Sequence, residues 1–168
     1  MEYEMKPSVS VIFLDLDGVL TVDSTNYKSF HPDCVQALKK ILDETNALIV
    51  LTSCWRKGFL DWSVSPCVLI ERPHVLAVLG RLFEDAGLPS QRLVEVTPIT
   101  VEGHRGTEIS KWLDKHSRVK NFIILDDDSD MEPHKDRLVQ THEPQGLTMA
   151  DAEMAIKMLT SGIESATV

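Results

Sequence analysis

The run Val11-Ile12-Phe13-Leu14, closed by Asp15-Leu16-Asp17-Gly18, constrains this chain more than any other stretch in it. A short, unbroken apolar run ended by acid and glycine reads as a strand buried on both faces, the form strands take in a parallel sheet. Carboxylates at the end of such a strand are costly to desolvate unless a cation or dense hydrogen bonding compensates them. Asp15 and Asp17 therefore ask for a ligand. A divalent metal with phosphate chemistry beside it meets that demand.

The same alternation of apolar runs and helical patterns continues along the chain. Strands are expected over residues 9–15, 47–51, 93–96, 122–125 and 138–141. Helices are expected from Pro32 through Val35, Leu38, Ile41 and Leu42, over residues 75–86, over residues 106–115, and after a capping box formed by Thr148 and Asp151. Such alternation predicts an α/β fold with a central parallel sheet between layers of helices. At 168 residues, a single domain over residues 1–168 accounts for the whole sequence.

A net charge of -9 argues against a broad nucleic-acid-binding surface but leaves room for one polyanionic end-group held by a metal. The three cysteines, Cys34, Cys54 and Cys67, cannot all pair within one chain and show no C-x-x-C spacing, so reduced thiols are expected. With neither a signal peptide nor a membrane-spanning stretch in the pattern, the expectation is a soluble cytoplasmic domain. Oligomeric state leaves no trace in the sequence.

Sheets of this kind bind ligands outside the carboxyl ends of their strands. Three expected strands end there in polar chemistry: Asp15 with Asp17, Thr52 with Ser53, and Asp126 with Asp127 and Asp128. Hard oxygen ligands in this number suit Mg²⁺ sharing its shell with a substrate phosphate. One carboxylate can serve as both ligand and nucleophile. A second, two residues on, can protonate the leaving group and then activate water. Thr52 and Ser53 offer donors for phosphoryl oxygens, with Arg105 as the candidate cation. Arg56 is a candidate contact to substrate phosphate or base. Trp55 and Trp62 are candidate stacking surfaces, against the plain alternative of surface aromatics, while Trp112 falls on an apolar helix face and reads as core. His31, His104 and His134 share no metal-ligand spacing, and Cys54 has no evident partner histidine.

The motifs D-L-D-G-V-L at 15–20, Thr52, a basic residue before the third helix and D-D-D-S-D at 126–130 together resemble the haloacid dehalogenase (HAD) superfamily. More narrowly, T-S-C-W-R at 52–56, R-G-T-E-I-S-K-W-L at 105–113 and I-I-L-D-D-D-S-D-M at 123–131 resemble the phosphatase-like domains of Swiss Army Knife RNA repair proteins. That resemblance implies a Rossmann-like three-layer fold and a Mg²⁺-dependent phosphatase. Asp15 would be the nucleophile and Asp17 the general acid/base, with Thr52 or Ser53 on the phosphate. Asp15, Asp17, Asp126 and Asp127 would hold the metal. Gly18, Arg56 and Lys111 join the substrate-binding candidates. The superfamily more often carries Lys where Arg105 stands, so Lys111 is a rival for the cationic role, and the triple Asp leaves the register of the last motif open. Residues 21–30 suffice for a flap and residues 57–100 for a helix and a strand, so a minimal cap or none is expected. An open site suits the phosphomonoester of a nucleotide or a polynucleotide end. The alternatives are a receiver-like phospho-accepting domain, disfavoured by the order of its acids, and a catalytically idle phosphate- or metal-binding module.

Overall fold

The computed structural model describes residues 8–57 and 72–161. In chain order the elements are β1 (Val9–Leu14), α1 (Pro32–Glu44), β2 (Leu48–Leu51), α2 (Arg72–Asp85), β3 (Leu93–Val96), α3 (Arg105–Leu113), β4 (Val119–Asp126), β5 (Leu138–Gln140) and α4 (Met149–Thr160). All five strands are parallel, in the order β3-β2-β1-β4-β5.

The apolar run of β1 is continuous because each face of the sheet has its own core. Ile12 and Leu14 enter one core with Leu38 and Ile41 of α1, Leu79 and Phe83 of α2, and Ala155 and Leu159 of α4. Val11 and Phe13 enter the other with Ile109 and Trp112 of α3. Phe13 meets the Trp112 ring edge-on at 5.4 Å and the Phe122 ring at 5.6 Å, the geometry the aromatic quadrupole favours. The result is the expected three-layer α/β fold with a parallel central sheet.

Two helix starts follow directly from the residues present. Pro32 occupies the first turn of α1, and His31 accepts a hydrogen bond from the Asp33 N–H as its cap. Thr148 and Asp151 form the reciprocal capping box of α4. The expected boundaries shift where polar residues sit inside an element. β4 begins at Val119, earlier than expected, because Asn121 is buried in mid-strand. Its amide donates to the carbonyls of Met158 and Leu159 and accepts from Arg137, which makes a polar residue tolerable there.

The stretch expected to be a flap, residues 21–30, holds one 3-10 turn, Asp23–Thr25. Trp62 and residues 58–71 of the second expected cap position lie outside the described residues. No helix among the described residues is long and apolar enough to cross a membrane.

Candidate active site

The strand order reverses between β1 and β4, and a crevice opens outside the carboxyl ends of strands at such a switch point. The ladder continues one residue past each strand end. Asp15 N–H donates to the Leu125 carbonyl at 2.9 Å, Thr52 N–H to Leu14 at 2.9 Å and Thr141 N–H to Asp126 at 2.9 Å. Thr52, Asp15 and Asp126 therefore stand side by side at one edge of the sheet.

Three carboxylates meet there. Oxygens of Asp15, Asp126 and Asp127 all lie within 4.8 Å of one another. Asp15 and Asp126 are buried, whereas Asp127 is exposed. The Arg105 guanidinium bridges the first two, with Nη1 3.1 Å from Asp15 Oδ2 and also donating to Asp126 Oδ2. Burial alone would depress that guanidinium, but Asp15 and then Asp126 outweigh it and raise its pKa. Among the described residues, Arg105 is one cation against three acids. Burial first, and the Asp15 charge second, push the Asp126 carboxyl well above the usual carboxylate range, with Arg105 offsetting only part. Asp127 shifts in the same direction for the same two leading reasons. A hard-oxygen cluster short of positive charge fits a divalent ion such as Mg²⁺, which Asp15, Asp126 and Asp127 can hold together.

Two glycines make this geometry possible. Gly18 has φ +77°, and a Cβ placed on it would lie 2.5 Å from the Asp127 carboxyl carbon. Gly106, second residue of α3, lets the helix start press against the loop after β4, where a Cβ would meet the Glu132 carbonyl oxygen at 2.0 Å. That contact brings Arg105 to the acids.

Asp17 faces elsewhere. One of its carboxylate oxygens accepts from the Thr21 hydroxyl at 2.7 Å, and both lie 3.1 Å from the Trp55 indole nitrogen, which donates to them. Asp17, expected among the metal ligands, thus stands outside the three-acid group. The Thr52 hydroxyl is buried and has no hydrogen-bond partner among the described residues. A buried hydroxyl of this kind beside Asp15 can donate to an acceptor such as a phosphoryl oxygen. The Ser53 hydroxyl accepts from the Trp55 backbone N–H at 3.2 Å, closing the turn that carries the indole.

Two expected substrate contacts are corrected. Arg56 is 3% exposed, paired with the equally buried Glu108 and donating to the carbonyls of Thr52 and Ser53. It buttresses the loop after β2, its charge already paired with Glu108. Lys111 is exposed and six positions along α3 from Arg105, about 9 Å of helix rise away, while Arg105 itself touches Asp15 and Asp126. Of the two candidates, Arg105 is the one that contacts the acids. Glu108, Thr21 and the N–H role of Trp55 escaped the sequence reading. Only the i, i+4 spacing of Asp17 and Thr21 hints at one of them.

The family described as the HAD domain in Swiss Army Knife RNA repair proteins matches residues 11–152. Neither the curated proteins nor the solved structures contain a match to the chain.

Proposed function

This chain belongs to the family of HAD domains in Swiss Army Knife RNA repair proteins, and from that premise we propose that it is a Mg²⁺-dependent phosphomonoester hydrolase. Membership supports a hydrolase of the HAD type. The substrate we assign is the phosphate of a nucleotide or of a polynucleotide end, met in the cytosol, where the free thiols of Cys34 and Cys54 stay reduced. The observation that carries the reading is the meeting of Asp15, Asp126, Asp127 and Arg105 at the switch point of the sheet.

An Asp15 oxygen attacks phosphorus and forms an aspartyl-phosphate as the ester oxygen leaves. Asp17 gives that oxygen its proton. The same carboxylate then takes a proton from water, which attacks the acyl-phosphate, frees inorganic phosphate and restores Asp15. Arg105 and the Thr52 hydroxyl meet the charge that develops on the transferring group. Bound Mg²⁺ supplies positive charge that offsets the repulsion between Asp15 and a phosphate dianion.

The test is phosphate release with Mg²⁺ from p-nitrophenyl phosphate, mononucleotides and end-phosphorylated oligonucleotides, with Asp15→Asn as the control. Release by the native chain and none by the variant is expected. Undiminished release by a folded Asp15→Asn protein refutes the covalent mechanism, and no release from any substrate refutes the hydrolase reading in favour of an idle binding module.

A further inference from the structure

Among the described residues the Thr52 hydroxyl has no hydrogen-bond partner, so its direction is set by the backbone that carries it. Threonine is stiff at χ1, and where its backbone is held the hydroxyl has few directions left. The N–H side of Thr52 is fixed by the ladder bond to Leu14 at 2.9 Å. The carbonyl side lies past the end of β2 at Leu51, and there the donor is Arg56. Nη1 of that guanidinium donates to the carbonyls of Thr52 and Ser53, the second at 2.9 Å, while Nη2 donates to Glu108 Oε2. Glu108 stands three positions after Arg105 in α3, one helical turn along, and its other oxygen accepts from the Thr100 N–H at 2.8 Å. Burial depresses the Arg56 guanidinium, Glu108 offsets part of that, and Arg105 is close enough to add like-charge repulsion. One buried ion pair thus runs from the backbone of Thr52 to the helix turn that carries Arg105. Apolar side chains of similar volume are often as stable as such a pair, but they cannot hold two carbonyls in place.

We propose that Arg56 and Glu108 are positioning residues for phosphoryl transfer, which together fix the direction of the Thr52 hydroxyl toward the transferring group. The inference rests on the phosphohydrolase reading and adds to it a pair that acts through Thr52. A donor that meets developing charge works only while it is aimed, and a displacement of about 1 Å can cost about 10²-fold in rate. Because that charge develops in the transition state, the pair acts on kcat and leaves KM in place.

The experiment compares the native chain with Arg56→Met/Glu108→Leu, in which both charges go together and neither is left unpaired. kcat and KM are measured with Mg²⁺ for p-nitrophenyl phosphate and adenosine monophosphate, at a temperature where both chains are folded. The same replacement is then made in a Thr52→Val background. In the native background it should lower kcat by about tenfold to 10²-fold, with KM within about twofold. In the Thr52→Val background it should cost nothing further, because the group it acts through is gone. A pair that only stabilised the fold would have the same effect in both backgrounds. Arg56→Lys keeps a charge beside Glu108 but loses the planar fork, so it should give a smaller kcat loss of the same kind. It carries the comparison if the apolar pair does not fold.

Native kcat in the folded variants overturns the proposal, as does an equal kcat loss with and without Thr52→Val. If the native chain hydrolyses nothing, orthovanadate, which adopts the five-coordinate geometry of phosphoryl transfer, is titrated calorimetrically with Mg²⁺. Weaker vanadate binding by the apolar pair, with no such effect in the Thr52→Val background, would support the positioning role while refuting the hydrolase reading. Equal vanadate binding, or none by the native chain, overturns both.

Discussion

Arg105 Nη1 lies 3.1 Å from Asp15 Oδ2, so the cation of the site leans on the proposed nucleophile from the first turn of α3. The same nitrogen donates to Asp126, which ties β1 to β4 through one guanidinium. Replacing it tests both functions. Arg105→Met should cut kcat/KM by about 10²–10³-fold, the effect of removing one donor aimed at developing charge. Lys111→Ala should leave it unchanged. Steady-state kinetics on the two variants decides whether the cationic role belongs to Arg105.

The raised Asp126 carboxyl has a stability consequence with a definite sign. An acid whose pKa is higher folded than unfolded keeps its proton longer in the fold. Below the unfolded pKa both states are protonated and nothing is lost. As pH climbs from there toward neutrality, the folded state alone bears the cost of ionising the buried group. Melting temperatures of the metal-free protein should therefore fall between about pH 4 and pH 7, from the unfolded carboxyl value up to the folded one at about 7. Asp126→Asn should flatten that slope, and Mg²⁺ should restore more stability at the upper pH than at the lower one.

Arg56 and Glu108 form an ion pair at 3% and 2% side-chain exposure. Glu108 also accepts from the Thr100 N–H at 2.8 Å, so the pair pins the loop before α3 as well as the loop after β2. Removing one partner leaves a buried charge without its counterpart. Arg56→Met should destabilise the fold by about 3–5 kcal/mol, read as a lower denaturation midpoint. At a temperature where the variant is folded, its KM should match the native value, which a substrate-contacting arginine would not allow.

Gly18→Ala places a methyl group on the Asp127 carboxylate and forces φ +77° on a residue with a Cβ. Asp127 has to move, and the three-acid cluster opens. Mg²⁺ affinity measured by calorimetry should fall at least about tenfold, since displaced ligands lose that much or more. Equal Mg²⁺ affinity in the variant would remove Asp127 from the metal site.

The parts of the fold and site that were legible in the sequence share one property: their signal is local. The double-sided burial of β1 shows as an unbroken apolar run, the capping of α4 as Thr148 with Asp151, and the acid edge as carboxylates directly after apolar strands. What was missed depends on partners distant in sequence. Glu108 reads as an ordinary helix-surface acid until Arg56 is brought to it across the fold. Arg56 reads as a substrate contact because nothing local shows that its charge is already paired. Asn121 hid the start of β4, since its acceptors are the carbonyls of Met158 and Leu159 at the end of α4. The indole N–H of Trp55 donates to Asp17 in a different loop, a partner that no local pattern shows.

β1 and β4 are neighbours in the sheet but are separated along the chain by α1, β2, α2, β3 and α3 among the described residues. Pairing them closes a large loop, and such non-local contacts form slowly because ordering entropy is lost before they reward it. The acids proposed to hold metal and receive phosphate sit on either side of that seam, Asp15 after β1 and Asp126 at the end of β4. A nascent or partly opened chain therefore has no cluster with which to bind either one. Occupancy of the proposed site would act as a clasp on that seam, so ligand should lengthen the lifetime of the folded chain far more than it hastens folding.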